Sequence, residues 1–563
     1  MDQEATLEPA ERGVCMEASG TTEGRALTGS TELARNALGL PQVLFCIVTG
    51  SAPLAAMMFN NPLSGYGIGI SVPSAYWLAT IAFTLFSVAY IEMARRVTTA
   101  GGLYSYMSYG FGRIVGLGAA FGIAAAYILF AAGVNGVTSY FAQTSILDLS
   151  GGFNMDWRIY AFCFIALMFF ITYFHVEIVA RILGFFLIGE LILLTIFAFA
   201  VVVKGGGPDG IVWQALNPAG IFNGGDGVEG AARVFGVGLA GVGFFFAFWS
   251  WVGFEMAPNY AEEARNPKKM MAYAIYISCI GLGVLYTFSA WMLVSAYGST
   301  HDEWVWAVGS QFAGDPSATQ DIGLAAVPAN VVLPQGNYAS AYYPAAQEFA
   351  GIGVANLFKV LIITGSFACA LAFWQTSNRY VFAMGREGIL PRILGRTHAR
   401  HKSPFVATIA VGLIVVMITS LFATGAIGGG QRAAAGYDQS DARTAYLQLG
   451  TWMPFQGNSL LFPLMAVVGL AIMVYFIRHA RDGFHWWKTC VAPILGAGAI
   501  SFAFYLMMKS RAGITFGAYQ GWVKYVPVIS LLIFLGGCLL AVLYRVRSKE
   551  RYDAVGKFIH EEA

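Results

Sequence analysis

Thr49-Gly50-Ser51-Ala52-Pro53 lies inside one apolar stretch, Leu40 to Tyr66, and Phe245-Phe246-Ala247-Phe248-Trp249-Ser250-Trp251-Val252-Gly253-Phe254-Glu255 lies inside another, Val234 to Tyr260. Each stretch is long enough to cross a membrane as a helix, and each carries residues that interrupt one. Pro53 lacks a backbone donor and clashes with the turn before it, while Gly50 and Gly253 add backbone freedom. In hydrocarbon a freed carbonyl costs several kcal/mol unless something satisfies it. Alone, the first stretch admits two readings: a proline kink, or an unwound segment whose freed groups hold a ligand. The second interruption favours the ligand reading, because paired breaks in corresponding segments of two halves mark the site of an inverted-repeat transporter. Half-helix N-termini offer N–H groups and partial positive charge to an anion, and freed carbonyls can hold a cation. A zwitterion fits both.

Composition sets the class. Of 563 residues, 57% are apolar and 11% are charged, against about 25% charged in a soluble domain. A bilayer core takes roughly 20 apolar residues per helix. Twelve segments qualify, approximately 40–66, 72–95, 114–142, 159–174, 178–203, 234–260, 271–297, 351–384, 404–423, 458–477, 490–508 and 523–544. The predicted fold class is an all-α polytopic membrane protein. Residues 1–38 are expected to form a disordered cytoplasmic tail, 39–203 a first five-helix repeat and 204–233 an external loop. Residues 234–478 are expected to form a second five-helix repeat, 486–545 two further helices and 546–563 a cytoplasmic tail.

Loop charge orients the chain. With the N-terminus inside, about 24 of the 33 Lys and Arg residues fall on the inner side and about 9 outside, as the positive-inside rule requires. Gly298 to Ala350 holds no Lys or Arg and suits an outer face, as do the Gly-rich loop from Lys204 and the polar loop Ile427 to Gly457. Both termini are expected in the cytoplasm of a cell that keeps the protein in its plasma or inner membrane. Net charge is +2, so no nucleic-acid partner is implied. The seven cysteines are scattered and mostly inside apolar runs, which reads as buried thiols without a metal site or disulfide framework.

Two acids stand in apolar segments. Glu190, in Leu187-Ile188-Gly189-Glu190-Leu191-Ile192, costs about 2.5–3.5 kcal/mol at mid-bilayer on insertion scales and should face a partner or cavity. Burial disfavours the charged form of a carboxylate, so Glu190 reads either as a proton-exchanging group or as a neutral structural acid. Glu255, next to the break, reads as structural. Among the aromatics of that segment, Trp249 and Trp251 are expected to border a pocket, where cation–π contact is available.

Four stretches in chain order resemble the amino acid–polyamine–organocation superfamily. They are Gly50-Ser51-Ala52; Ala100-Gly101-Gly102-Leu103-Tyr104-Ser105-Tyr106; Trp249 to Glu255 followed by Glu262-Glu263-Ala264-Arg265-Asn266-Pro267; and Asn378-Arg379 through Gly388-Ile389-Leu390-Pro391 with Ser403-Pro404. The resemblance implies a LeuT-type fold of two inverted five-helix repeats plus two helices, and transport of amino acids or amines. It implies that Thr49, Gly50, Ser51 and Ala52 meet a substrate carboxylate through backbone N–H groups. It likewise implies that Ser250, Trp251 and Gly253 meet an amino group through carbonyls, with Trp249 at a gating position. Glu190 matches a position where some sodium-independent relatives place a lysine. Two departures matter: the motif's last glycine is Ala52, followed by Pro53, which makes an amine without a carboxylate more plausible, and Glu190 reverses the lysine's charge.

The expected function is a secondary transporter importing an amino acid or related amine, coupled to protons through Glu190. Exchange of a cationic amine for its product, or sodium coupling through hydroxyls such as Thr364, Ser366, Thr376 and Ser377, stays open. No cofactor is expected beyond a coupling proton or sodium ion, and the partners are a small-molecule substrate and the bilayer, with the chain a monomer or homodimer. No G-x-x-x-x-G-K-[ST], His-Glu-x-x-His or cysteine pair occurs, so an enzyme or sensor is not expected.

Overall fold

The computed structural model describes residues 36–97, 101–173, 176–222, 240–298, 340–430, 439–515 and 522–556. Most of the expected N-terminal tail, the central part of the loop from Gly298, and the start of the sixth apolar segment lie outside the described residues. Among those described, the chain is helical, and the only bridges are isolated ones, Leu38 with Ala264 and Gly207 with Gly210.

We number the helices α1 Leu40–Ser51, α2 Asn61–Ile68, α3 Val72–Ala94, α4 Gly102–Phe111, α5 Arg113–Ser150, α6 Trp157–Tyr173, α7 Val176–Lys204, α8 Ala240–Trp249, α9 Pro267–Tyr297, α10 Tyr342–Ala350, α11 Ile352–Arg386, α12 Phe405–Ala423, α13 Gly450–Arg478, α14 Ala492–Lys509, α15 Val526–Arg547 and α16 Lys549–Ala554. Ten helical stretches among the described residues are long and apolar enough to cross a membrane, the first of them the whole of Leu40–Ala94, and Trp157–Tyr173 is a shorter apolar helix. At 38 residues, α5 is about 57 Å long at 1.5 Å per residue, well over the roughly 30 Å hydrocarbon core.

Burial separates centre from periphery. The stretch Ala240–Glu263 is 94% buried in its most apolar window, whereas that around α15 is 22% buried. On α7, α12 and α15, side chains such as Phe185, Leu413 and Leu532 point outward. Apolar residues at solvent positions on helices without polar faces mark a lipid-facing shell. Inside that shell α5 packs along α11 and α13, α3 packs against α9 and α14, and α1 lies against α7.

The loop expected at Ile427 to Gly457 is corrected in its second half. Thr444–Leu449 is a π-helical turn leading directly into α13. Gln448, Thr451, Gln456 and Asn458 there are buried, with Gln456 bonded to Ser530 at 2.6 Å and Asn458 to the Pro454 carbonyl at 2.9 Å. Polar residues and Pro454 imitate a loop in the sequence, but this helix faces protein, where polar side chains find partners. The segment from Gly298 to Ala350 also contains α10, whose Tyr342 and Ala346 are fully buried.

Candidate functional site

The break in the first stretch is a single residue wide. Ala52 takes the left-handed conformation, φ 40° and ψ 76°, and its N–H bonds back to Val48 and Thr49. Pro53 then opens the second half, which runs through Pro53–Ala55 and a π-helical turn Ala56–Asn60 into α2. Left-handed backbone is the conformation glycine favours, so Ala52 preserves the shape while adding a methyl group. The carbonyls freed by the break find side chains: Tyr286 donates to that of Ser51 at 2.8 Å, and the Cys369 thiol to that of Gly50 at 3.2 Å.

The second break faces the first. After α8 ends at Trp249, the chain passes through turns to a 3-10 helix, Phe254–Glu263. Gly253 has φ 132°, and a Cβ on it would lie 2.6 Å from the backbone nitrogen of Ser51 and 2.7 Å from the carbonyl carbon of Gly50. The Ser51 hydroxyl donates to the Trp251 carbonyl at 3.4 Å. Ser250 ties the halves further: it accepts from Asn60 Nδ2 at 3.0 Å, lies 3.2 Å from the Tyr76 hydroxyl and donates to the Phe246 carbonyl at 2.9 Å.

Glu190 of α7 is fully buried behind the first break. Its Oε2 accepts from the Leu54 N–H at 3.0 Å, which places a carboxyl on the N-terminus of the second half-helix, where negative charge is stabilised. Among the described residues its Oε1 has no hydrogen-bond partner, and a Cβ on Gly365 of α11 would clash with it. Glu255 is different. Its Oε2 accepts from the Gly253 N–H at 2.8 Å, its Oε1 from the Tyr127 hydroxyl, and its own carbonyl from Tyr90 at 2.8 Å. It is a cap for the second break, with both oxygens engaged.

Between the breaks lies a narrow cavity of about 30 Å³, bordered by Gly50, Ser51, Ala52, Asn60, Trp249 and Ser250, with Phe59, Cys369 and Phe373. The remaining expected site residues lie around it. Thr49 turns towards α7, its hydroxyl 3.5 Å from the Leu183 carbonyl. Trp251 packs away from the cavity among Tyr76, Phe83 and Tyr286, with Nε1 donating to the Cys279 carbonyl at 3.3 Å. Gly253 forms the contact between the breaks. The hydroxyls weighed for sodium each have a partner: Thr364, Ser366 and Ser377 donate to carbonyls of their own helix, and Thr376 to Met256.

Two side-chain clusters flank the breaks. Towards α10, Phe59 meets Trp249 edge-on with centroids 5.7 Å apart and Tyr446 at 4.7 Å. Towards Leu38, Arg379 pairs with Glu263 at 2.7 Å, both almost fully buried, with the guanidinium 4.2 Å from the Tyr260 ring centre and 2.8 Å from Gln375 Oε1. There Leu38 adds its backbone to the same segment, donating to the Glu263 carbonyl at 2.9 Å and accepting from Arg265 at 3.0 Å.

A broken pair of central helices around one small cavity, inside a lipid-facing shell, is transporter architecture. The family model "Amino acid permease" matches residues 38–537. The chain belongs to the amino acid permease family. The permease is 23% identical over 394 residues to a branched-chain amino acid permease, BcaP, of Bacillus subtilis, covering 67% of this chain and 70% of that one. It is 22% identical over 500 residues to the methylthioribose transporter of the same organism, covering 85% and 88%. It is 24% identical over 416 residues to the low-affinity putrescine importer PlaP of Escherichia coli K12, covering 71% and 79%. A solved structure of the Eremococcus coleocola manganese transporter shares its fold, with TM-score 0.53 and 12% identity over 94% of this chain and 99% of that one. The permease is thus a multi-pass membrane transporter of the amino acid–polyamine–organocation superfamily with a LeuT-like fold.

Several residues of the permease's site were not singled out by sequence. Asn60, Tyr76, Cys369, Gly365 and Tyr286 bind or accommodate the breaks, yet all but Asn60 are single small or aromatic residues in apolar runs. Asn60-Asn61 was the legible signal, two amides inside a membrane segment. Arg379 and Glu263 fall within quoted motifs, but only the fold shows that they pair.

Proposed function

We propose that the permease imports an amino acid or related amine across the cytoplasmic membrane by alternating access around its paired breaks, with a proton as coupling ion and Glu190 as the group that carries it. The observation behind this reading is the Glu190 carboxyl on the Leu54 N–H, with its other oxygen unpartnered among the described residues. A proton gained or lost there changes the charge at the N-terminus of a half-helix that borders the cavity, and so the energy of moving that half-helix. We further assign twelve crossings, with Leu40–Ile68 and Val72–Ala94 as separate crossings and α6 as a short one, arranged as two inverted repeats of five plus two. Loop charge supports placing both termini in the cytoplasm. Purified protein in liposomes, offered labelled leucine or putrescine, is expected to accumulate its substrate faster under an inward proton gradient, and Glu190→Gln to lose that stimulation. A gradient without effect on uptake, with Glu190→Gln equally active, sinks the coupling assignment.

A second reading, transport of a cationic amine without a carboxylate, is favoured by the donors at the first break. Pro53 has no N–H, that of Leu54 is taken by Glu190, and that of Ala52 is bonded to Val48 and Thr49. Few N–H groups are left for a carboxylate, while the Trp249 and Phe59 faces suit a cation. If this transport is exchange, efflux of preloaded amine requires external substrate; efflux that ignores it argues for uniport or symport.

A further inference from the structure

A second, much larger cavity lies far from the breaks, where α4 meets α5, α13 ends, and α16 returns. It measures about 760 Å³, and Tyr109, Arg113, Tyr475, Arg478, His479 and Tyr552 are among its lining. Among the described residues, every charged side chain on that lining is basic. Arg113 is fixed in place by Asp553 at 2.5 Å and lies over the Tyr552 ring, 5.5 Å from its centre. His479 rests against Tyr475, with ring centroids 6.1 Å apart. Among the described residues no acid pairs with Arg478. The first-turn N–H groups of α5 have no acceptor within the helix, and its dipole places partial positive charge at the same point. The C-terminus of α13 contributes the opposite sign, but Arg478 and His479 stand on it. The cavity therefore has a net positive lining with three tyrosine faces beside it.

We infer that this cavity is a binding site for a phosphate-bearing anion, and that the anion joins α16 to α5 and α13. The volume is in the range of small-molecule pockets, about 300–1,000 Å³, and exceeds what bare phosphate fills, so the ligand carries a further moiety against the tyrosines. The cavity stands at the ends of two membrane-crossing helices, the level at which basic pockets meet anionic head groups. The shared chemistry is a phosphate ester, from an anionic lipid or from a soluble metabolite.

The full-length protein in neutral-lipid nanodiscs is titrated with glycerol 3-phosphate, and in parallel the neutral lipid is replaced stepwise by phosphatidylglycerol, with thermal unfolding as readout. The paired variant Arg478→Gln, His479→Gln changes two exposed side chains; Lys488→Gln, on a nearby exposed turn outside the cavity, controls for general surface charge. A saturable rise in unfolding temperature is expected, with half-saturation shifted about tenfold or more in the paired variant, the loss that one charge-assisted hydrogen bond brings, and by less than about threefold in Lys488→Gln. That pattern with phosphatidylglycerol alone identifies a lipid site, and with glycerol 3-phosphate a soluble-ligand site. Stabilisation by neither, or an equal shift in Lys488→Gln, overturns the assignment.

Discussion

At the scale of single residues, the contact between the breaks makes an unequal pair of glycines. A Cβ at Gly253 would meet backbone of Ser51 and Gly50, neither of which can move without moving the half-helix, and its φ of 132° is strained for any L side chain. A Cβ at Gly50 would meet the Met256 terminal methyl, the far end of a buried but flexible side chain. We expect Gly253→Ala to cost about 2–5 kcal/mol from strain and overpacking together and to abolish uptake, and Gly50→Ala to keep measurable uptake. Thermal unfolding and liposome transport on both variants check this; equal loss in the two would mean that the breaks do not rest on Gly253. The sequence displayed these glycines and the departure at Ala52. It did not display that Ala52 keeps left-handed backbone, because residue type reports a propensity, and Pro53 by itself favours extended backbone at the residue before it.

Between elements, the cluster towards Leu38 is built around the buried Arg379–Glu263 ion pair. Removing one member of a buried pair leaves an uncompensated charge and costs about 3–5 kcal/mol, while replacing both by apolar residues of similar volume is often neutral. Arg379→Met and Glu263→Met are therefore expected to lower the unfolding temperature strongly when made singly and much less when combined. Additive losses in the double variant would show that the two charges act independently. A separate junction, where α11 ends against α4 and the residues after α16, is sensitive to pH. Burial pushes the Glu387 carboxyl up from 4.5 to about 7, against the Tyr104 hydroxyl that donates to it at 3.0 Å and the Gly556 backbone beside it. A carboxyl raised in the folded state binds more protons folded than unfolded between these values, so its contribution to stability is present below about 4.5 and is lost as pH rises to about 7. Glu387→Gln is expected to flatten the pH dependence of the unfolding temperature in that window and to leave the variant more stable than the parent above it; an unchanged profile would mean that Glu387 titrates normally. Elements were the most legible level, because apolar runs of membrane length are set by the bilayer itself. The failure at residues 444–457 has the same cause: a helix surrounded by protein is free to carry Gln448, Thr451 and Gln456, and hydropathy cannot tell it from a loop.

Over the whole molecule, what the sequence conveyed was architecture, and what it withheld was the chemistry of the cavity. Paired interruptions and loop charge are long-range patterns printed along the chain, whereas the use of each backbone donor depends on contacts between segments more than a hundred residues apart, such as Glu190 with Leu54. That contact bears directly on substrate class. In a site that reads a carboxylate through N–H groups, an amine lacking it should bind about 10–100-fold more weakly, since hydrogen bonds to a charged group are worth about 1.5–3 kcal/mol. Here Pro53 supplies no donor and Glu190 already presents a carboxyl to the half-helix, so a second carboxylate would meet like charge unless Glu190 were protonated. The expectation is that a decarboxylated amine stabilises the protein at concentrations no higher than its parent amino acid does, measured by thermal shift across matched pairs such as ornithine with putrescine and leucine with isopentylamine. It is further expected that Glu190→Gln narrows the gap by admitting the amino acid, because the amide keeps an oxygen for the Leu54 N–H without the charge. An amino acid that stabilises at tenfold lower concentration than its amine, in the parent protein at neutral pH, would show that the first break still reads a carboxylate despite Pro53.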